Sequence, residues 1–97
     1  MRVTVRFHGI YRSFAPRVAE LDLPGEATLR DLIHALGKCH GERLLRELLS
    51  EDGRLSQAAT IAVGESQGEE RLDVTLRELA GESPELDIFF IQAIQGG

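Results

Sequence analysis

Cysteine and lysine are scarce in this chain. Its one cysteine, Cys39, cannot form an internal disulfide and provides no cysteine pattern for a metal, which suits a reducing compartment. Ten of the eleven basic residues are arginine, so any reaction that uses the protein's own lysines as acceptors has one candidate, Lys38. The chain also has no apolar run of the roughly 18 residues that a membrane span requires, and no charged-then-apolar leader at its start. We therefore expect a cytoplasmic protein without a membrane partner.

Basic residues are also fewer than acidic ones, with 11 Lys and Arg against 16 Asp and Glu. With 97 residues, of which 42% are hydrophobic and 28% charged, the chain is long enough for one domain with a single core. Its formal net charge is -5 and its basic residues are scattered, whereas nucleic-acid binding depends on clustered Lys and Arg. Nucleic acid is therefore not expected as a partner. An acidic domain of this kind is expected to dock on a basic protein surface, where complementary charge speeds encounter.

Period-2 alternation predicts two strands near the start of the chain. Residues 2–8 and 19–23 alternate between apolar and polar side chains, which is typical of half-buried strands. The region 9–17 between them is rich in turn-forming residues. We interpret the two segments as a hairpin.

Helical periodicity follows the hairpin. Thr28 precedes an apolar pattern at spacings of three, four and seven, so it is the expected N-cap, and Asp31 completes a variant of the capping box. We expect this main helix to end at Gly37 or Gly41. A second, shorter helix is predicted from 42 to 49.

The second half of the chain returns to strand patterns. Residues 59–63 alternate and predict a strand, and the polar stretch 65–70 is expected to be an exposed loop. A short alternating piece at 72–76 is predicted to be a short strand or a turn, another turn is predicted at 79–84, and 86–91 is the last strand. Strands with one main helix on one side indicate a two-layer α+β domain.

The last strand is apolar on both faces, which is typical of a central strand. With helices on one side only, Phe89 and Ile91 would form part of an exposed apolar patch on the other side, and such patches usually mark interaction surfaces. Alternatively, the segment 10–16, with Tyr11 and Phe14, folds over that face. The sequence leaves both arrangements open.

The sequence ends in Gly96-Gly97, directly after this apolar stretch. Glycine lets another protein's backbone approach closely, so a diglycine carboxylate fits a narrow enzyme channel in which it could react. The alternative is an accidental end without function. We predict a folded domain at 1–91 and a flexible tail at 92–97, which reaches up to about 20 Å when fully extended.

Three histidines, His8, His34 and His40, are the candidates for acid–base or metal chemistry if the protein were an independent enzyme. The spacing of His34 and His40 does not put them on one helix face, and no cysteine or pair of carboxylates completes a site. We expect the histidines to be exposed or structural, and we predict no metal site.

The order and spacing of several segments match one known family. They are the opening strand at 3–7, the helix start at 28–33, the strand and turn at 61–64, and the closing run at 86–91 with Gly96-Gly97 behind it. Together they resemble the ubiquitin-like β-grasp sulfur carriers, above all the small subunit of molybdopterin synthase and the thiamine sulfur carrier. The resemblance covers essentially the whole chain.

This resemblance implies a β-grasp fold, in which a mixed four- to five-stranded sheet packs on one main helix plus a short helix. It also implies a sulfur carrier with no catalytic side chains of its own and no bound cofactor. The Gly97 carboxylate, next to Gly96, would be adenylated by a ubiquitin-activating-like adenylyltransferase that uses ATP, and then converted to a thiocarboxylate.

The apolar patch and the tail are expected to contact the partners. The residues predicted to do so are Phe89, Ile91, Gln92, Ile94 and Gln95. The expected sulfur acceptor is the large subunit of molybdopterin synthase, and the alternatives are acceptors in thiamine synthesis, cysteine synthesis or tRNA thiolation. Two further classes stay open: a ubiquitin-like modifier conjugated through Gly97, and a plain β-grasp interaction domain.

Overall fold

Four strands and three helices make up the part of the chain that the computed structural model describes, residues 1–9, 15–57, 59–64 and 68–90. In chain order they are β1 (Arg2–Phe7), β2 (Val18–Asp22), α1 (Leu29–His40), α2 (Glu42–Leu48), β3 (Ala59–Val63), α3 (Leu76–Ala80) and β4 (Glu85–Phe90). Within these ranges, none of the helices has the length and apolar character to cross a bilayer.

The strands form one mixed sheet in the order β2-β1-β4-β3. β1 and β2 are antiparallel, as the predicted hairpin requires, and β3 is antiparallel to β4. The two central strands, β1 and β4, run parallel, with Arg6 opposite Asp87 and Phe7 opposite Ile88. The prediction that the last strand is central is confirmed.

One face of the sheet packs against α1 and forms the core. Val3, Val5 and Phe7 of β1 are buried, as the alternation predicted, and Leu86 and Ile88 of β4 are buried beside them. The apolar stripe of α1 covers these strands. Its buried members are Leu29, Leu32, Ile33 and Leu36.

The start and the end of α1 are set by local hydrogen bonds. Thr28 Oγ1 accepts from the backbone N–H of Asp31 at 3.2 Å, and the Asp31 carboxylate accepts from the Thr28 N–H at 3.0 Å. This reciprocal pair is the predicted capping box. The helix continues past Gly37 and ends at Gly41, whose φ of 111° lies in a region that favours glycine.

Gly37 lies where α1 and α2 pack most closely. A Cβ atom added at Gly37 would lie 2.8 Å from Cβ of Leu45 in α2, closer than any normal contact. The missing side chain therefore allows α2 to lie directly against the end of α1, and the two helices are joined at Gly41.

The segment between β3 and β4 departs from the prediction. Of the two predicted alternatives at 72–76, the chain forms a turn at Leu72 and Asp73 and no strand, and Leu76 is the first residue of α3, which also occupies part of the predicted turn at 79–84. The reason is a second N-cap, because the Thr75 side chain accepts from the Glu78 N–H at 3.2 Å. Leu72 and Leu76 are buried in the core without belonging to a sheet.

Glu69 is a second departure, because it lies in the stretch predicted to be an exposed loop and is only 6% exposed. Its Oε2 accepts from the backbone N–H of Arg71 at 3.0 Å and from Arg71 Nε at 2.8 Å. These hydrogen bonds lower the pKa of Glu69 below its ordinary value in spite of burial. The carboxylate therefore tolerates its buried position because Arg71 pairs with it.

We predict that Gly37→Ala lowers the free energy of unfolding by about 1 kcal/mol. The added methyl group overpacks the contact with Leu45, which typically costs about 1–3 kcal/mol, while the better helix propensity of alanine recovers about 1 kcal/mol. Urea denaturation followed by circular dichroism measures the change. Cys39→Ala, at an exposed position on α1, is the control and should be neutral or slightly stabilising; an unchanged or raised stability of Gly37→Ala would contradict the packing account.

Candidate functional site

The face of the sheet that points away from the helices is called the open face here. The alternation that buries one side of β1 places Arg2, Thr4 and Arg6 on the open face, and β4 adds Glu85, Asp87 and Phe89 to it. Phe89 is 40% exposed and Val18 of β2 is 47% exposed. The open face therefore combines charged side chains with two exposed apolar ones.

Two arginines of β1 tie neighbouring strands together across the open face. Arg2 Nε donates to Asp22 at 2.9 Å and its Nη1 to Glu20 at 3.1 Å. Arg6 makes the equivalent pairs toward the other side of the sheet, with Glu85 at 2.9 Å and Asp87 at 3.0 Å. Four carboxylates thus surround two guanidinium groups, which leaves the open face negatively charged.

His8 completes a small cluster at the end of β4. Its Nε2 lies 2.8 Å from Oδ1 of Asp87, the same oxygen that accepts from Arg6. Since an ionised carboxylate can only accept, His8 Nε2 carries the hydrogen and donates it. The His8 ring stacks on Phe89, with ring centroids 4.5 Å apart and planes within 12°. Asp87 therefore fixes His8, and His8 covers one face of Phe89.

The ionisation of Asp87 follows from these contacts. Partial burial alone would raise the pKa of the Asp87 carboxyl, but the hydrogen bonds from Arg6 and His8, with the charge of Arg6, outweigh it. The pKa of Asp87 is therefore held below its ordinary value of 3.8. Asp87 is a fixed negative charge at neutral pH, and it keeps both neighbouring side chains in place.

Of the predicted site residues, Phe89 is the one that the structure places. It lies near the end of β4 on the open face and is partly exposed. Ile91 lies outside the described residues, and so does the predicted tail at 92–97 with Gln92, Ile94, Gln95, Gly96 and Gly97. The alternative prediction was that the segment 10–16 folds over this face. It stays a prediction, because residues 10–14 also lie outside the described part.

The sequence missed His8 and Val18 as members of this surface. Alternation places His8 on the same face as Arg6. The residues of β4 that lie next to His8 follow from the parallel pairing of the two central strands, and no local sequence pattern indicates that pairing. Val18 lines a recess beside His8 and Arg6 at the same end of the sheet.

The other histidines do not join this cluster, since His34 and His40 lie on α1. Among the described residues, no group of three or more histidine, cysteine, aspartate or glutamate side chains is arranged to hold a metal ion.

Comparison with protein-family models and with curated protein sequences gives no match. Solved structures do match. Small archaeal modifier protein 1 from Haloferax volcanii superposes with a TM-score of 0.74 at 18% identity, over 98% of this chain and 100% of that one. The chain has the ubiquitin-like β-grasp fold.

Two further β-grasp structures are similar over nearly their whole length. A protein described as molybdopterin converting factor, subunit 1, from Pyrococcus furiosus is 25% identical, with 95% of this chain and 99% of that chain covered and a TM-score of 0.69. Urm1 from Trypanosoma brucei is 16% identical, with 97% and 95% covered and a TM-score of 0.66. The resemblance to the ubiquitin-like family and the predicted α+β β-grasp fold are confirmed.

We predict that Asp87→Asn removes an acid-sensitive part of the stability. Because the pKa of Asp87 is lowered in the folded state, its contribution is present above the ordinary value of 3.8 and is lost as the pH falls below about 4. The wild type should therefore be more stable than Asp87→Asn at pH 7, and the difference should shrink between pH 5 and pH 3.

Urea denaturation at several pH values measures this difference. Glu51→Gln, which removes one negative charge from an exposed turn after α2, is the matched control and should give a difference that is small at every pH. A stability difference for Asp87→Asn that does not depend on pH would contradict the assignment.

Proposed function

We propose that this chain is a ubiquitin-like sulfur carrier whose Gly97 carboxylate is adenylated and then converted to a thiocarboxylate. The observation that carries the proposal is the β-grasp fold itself, with β4 in the centre of the sheet and Gly96-Gly97 a few residues after it in sequence. A rigid sheet anchors the segment on one side, and two residues without side chains allow access to a narrow channel on the other.

The chemistry needs an activating partner because a carboxylate is a poor electrophile. A Gly97 oxygen attacks the α-phosphorus of ATP, pyrophosphate leaves, and the product is an acyl-adenylate. A persulfide sulfur of the partner then attacks the acyl carbon and AMP leaves. A second thiol cleaves the sulfur–sulfur bond, forms a disulfide and releases the thiocarboxylate. The partner is therefore an adenylyltransferase of the ubiquitin-activating type, which supplies ATP and magnesium.

The carrier's own contribution is to hold the sulfur at high effective concentration. A thiocarboxylate on a short segment attached to a docked domain reacts in the acceptor's active site as if it were part of the same molecule. This is why the carrier requires a docking surface and no catalytic side chain.

For the acceptor, we propose the large subunit of molybdopterin synthase. The support is the 25% identity to the Pyrococcus furiosus protein named as a molybdopterin converting factor subunit, which matches over nearly the full length of both chains. The same tail chemistry would serve acceptors in thiamine synthesis, cysteine synthesis or tRNA thiolation.

The open face is the proposed docking surface for the activating partner. Its excess of carboxylates favours basic side chains opposite Glu20, Asp22 and Glu85. Phe89 and the His8 ring that stacks on it favour an apolar recess nearer the tail. The partner surface is therefore expected to be basic, with one apolar pocket.

A second candidate is a protein modifier joined through Gly97 to lysines of other proteins. It is favoured by the name of the similar Haloferax volcanii structure, a small archaeal modifier protein, and by its counterpart from Methanosarcina acetivorans at 19% identity. Carrier and modifier share the adenylation step, so the product distinguishes them: a thiocarboxylate for the carrier and an isopeptide bond for the modifier.

We predict a mass gain of the intact protein after incubation with ATP, an adenylyltransferase of this type and a sulfur donor. Replacing one oxygen of the Gly97 carboxylate by sulfur adds about 16 mass units, and the small glycine residues give the activating enzyme access to that carboxylate. The measurement is intact-protein mass spectrometry.

Deletion of Gly96-Gly97 is the control for the position of the sulfur. The shortened chain should fold as well as the wild type, because segments beyond the packed elements contribute little to stability, and it should show no mass gain. Full conversion of the shortened chain would refute the role of Gly97.

We also predict that Phe89→Ala weakens recognition by the activating partner. Truncating an exposed aromatic contact at an interface typically costs about 1–3 kcal/mol, so KM for the carrier should rise about tenfold with little change in kcat. The measurement is ATP–pyrophosphate exchange at varied carrier concentration. Arg46→Ala, exposed on the helix side of the molecule, is the matched control; equal effects of the two changes would exclude the open face as the docking surface.

A further inference from the structure

A cleft of about 620 Å³ beside the first turn of α1 is lined by three arginines from three different segments. Arg30 belongs to α1, Arg54 to the turn that follows α2, and Arg71 to the segment before α3. The described residues that line this arginine cleft belong to none of the four strands. The arginine cleft is therefore separate from the open face.

Two of these arginines are held in place by a carboxylate each. Arg30 donates to Asp73 through Nε at 2.9 Å and Nη2 at 3.4 Å, and through Nη1 to the Gly53 carbonyl at 2.7 Å. Arg71 donates to the buried Glu69 through Nε at 2.8 Å and Nη2 at 3.2 Å. Because a guanidinium group carries five N–H donors, both arginines are fixed in position and still retain donors that these bonds do not use.

Arg54 is the arginine of the three with the weakest internal partner. Its side chain is 85% exposed, and its ion pair with Asp52 is long, at 3.7 Å. The backbone of its turn is nevertheless well fixed, since the Ser50 hydroxyl donates to the Arg54 carbonyl at 3.1 Å and the Ser50 N–H donates to the same oxygen at 2.8 Å. The turn therefore places Arg54 at the arginine cleft and leaves its guanidinium group available to a ligand.

Guanidinium donors that approach from three segments suit a tetrahedral anion, whose oxygens point in several directions. Arginine binds phosphate through paired, charge-assisted hydrogen bonds. The volume lies within the range of about 300–1,000 Å³ that is typical of small-molecule sites and exceeds the needs of a bare phosphate. Leu55 and Val74, both half-buried, add apolar surface to the lining. We propose that the arginine cleft binds the phosphate group of a nucleotide-sized phosphate monoester.

Two carboxylates restrict what the arginine cleft accepts, because Glu70 and Asp73 also line it. The hydrogen bond from Arg30, and then its charge, hold the pKa of the Asp73 carboxyl below its ordinary value, so Asp73 stays ionised. Glu70 is exposed at the cleft and can accept from a hydroxyl or N–H group of the ester. The positive excess of the lining is small, which favours a single phosphate group over a polyphosphate or a nucleic-acid backbone.

The test is a titration of the full-length protein with adenosine monophosphate at about pH 8, where the phosphate carries both charges. Adenosine and inorganic phosphate are titrated separately at the same ionic strength. Heteronuclear NMR should show saturable shifts of the backbone signals of residues 53–55 and 70–74, and adenosine should bind about tenfold more weakly. Equal affinity for adenosine, or shifts confined to other segments, would overturn the phosphate site. Inorganic phosphate that binds as tightly as the monophosphate would overturn the assignment of a nucleotide-sized ester.

Arg54→Ala tests the residue that holds no close partner in the arginine cleft. Its side chain is exposed, so the variant should fold, and its Kd for adenosine monophosphate should rise about tenfold with the loss of a charge-assisted hydrogen bond. Arg46→Ala, which removes the same charge from an exposed position of α2, is the matched control and should bind like the wild type. An unchanged Kd for Arg54→Ala, or equal losses in the two variants, would contradict the proposal.

Discussion

The parallel pairing of β1 with β4 is the constraint on which the rest of the structure depends. It joins the first and the last strand of the described chain in the centre of the sheet, with Arg6 opposite Asp87. The buried faces of these strands supply the part of the core that α1 covers. Their other faces bring His8 to Asp87 and Phe89, so the core and the proposed docking surface arise from the same pairing.

The ion pairs of the open face are better understood as positioning devices than as a source of stability. Exposed pairs typically contribute about 0–1 kcal/mol, and Arg2 with its partners is largely exposed. Asp87 differs, since its side chain is 28% exposed and receives hydrogen bonds from two residues. It orients His8 over Phe89, which gives an aromatic contact a defined shape before any partner arrives.

Local signals predicted much of this fold. The capping box at Thr28, the amphipathic stripe of α1 and the alternation of β1 are each encoded within a few residues, and each was found where the sequence placed it. The five-residue helix α3 was missed because its first residue, Leu76, continues an alternating pattern from Leu72, although Thr75 and Glu78 carry a capping signal. The burial of Glu69 and the place of His8 depend on which segments meet in space, and a single sequence does not specify that.

The central position of β4 also affects how the chain is made. The contact between Arg6 and Asp87 spans 81 residues of sequence, and the entropic cost of closing this loop has to be repaid by the contacts that β4 makes. Until β4 emerges from the ribosome and docks, β1 lacks one neighbour and β3 lacks the strand it pairs with. Unpaired strand edges promote aggregation. A chain that is cut short before its last strand therefore exposes strand edges that can pair with other chains. A chain that folds already contains the strand that leads to the diglycine.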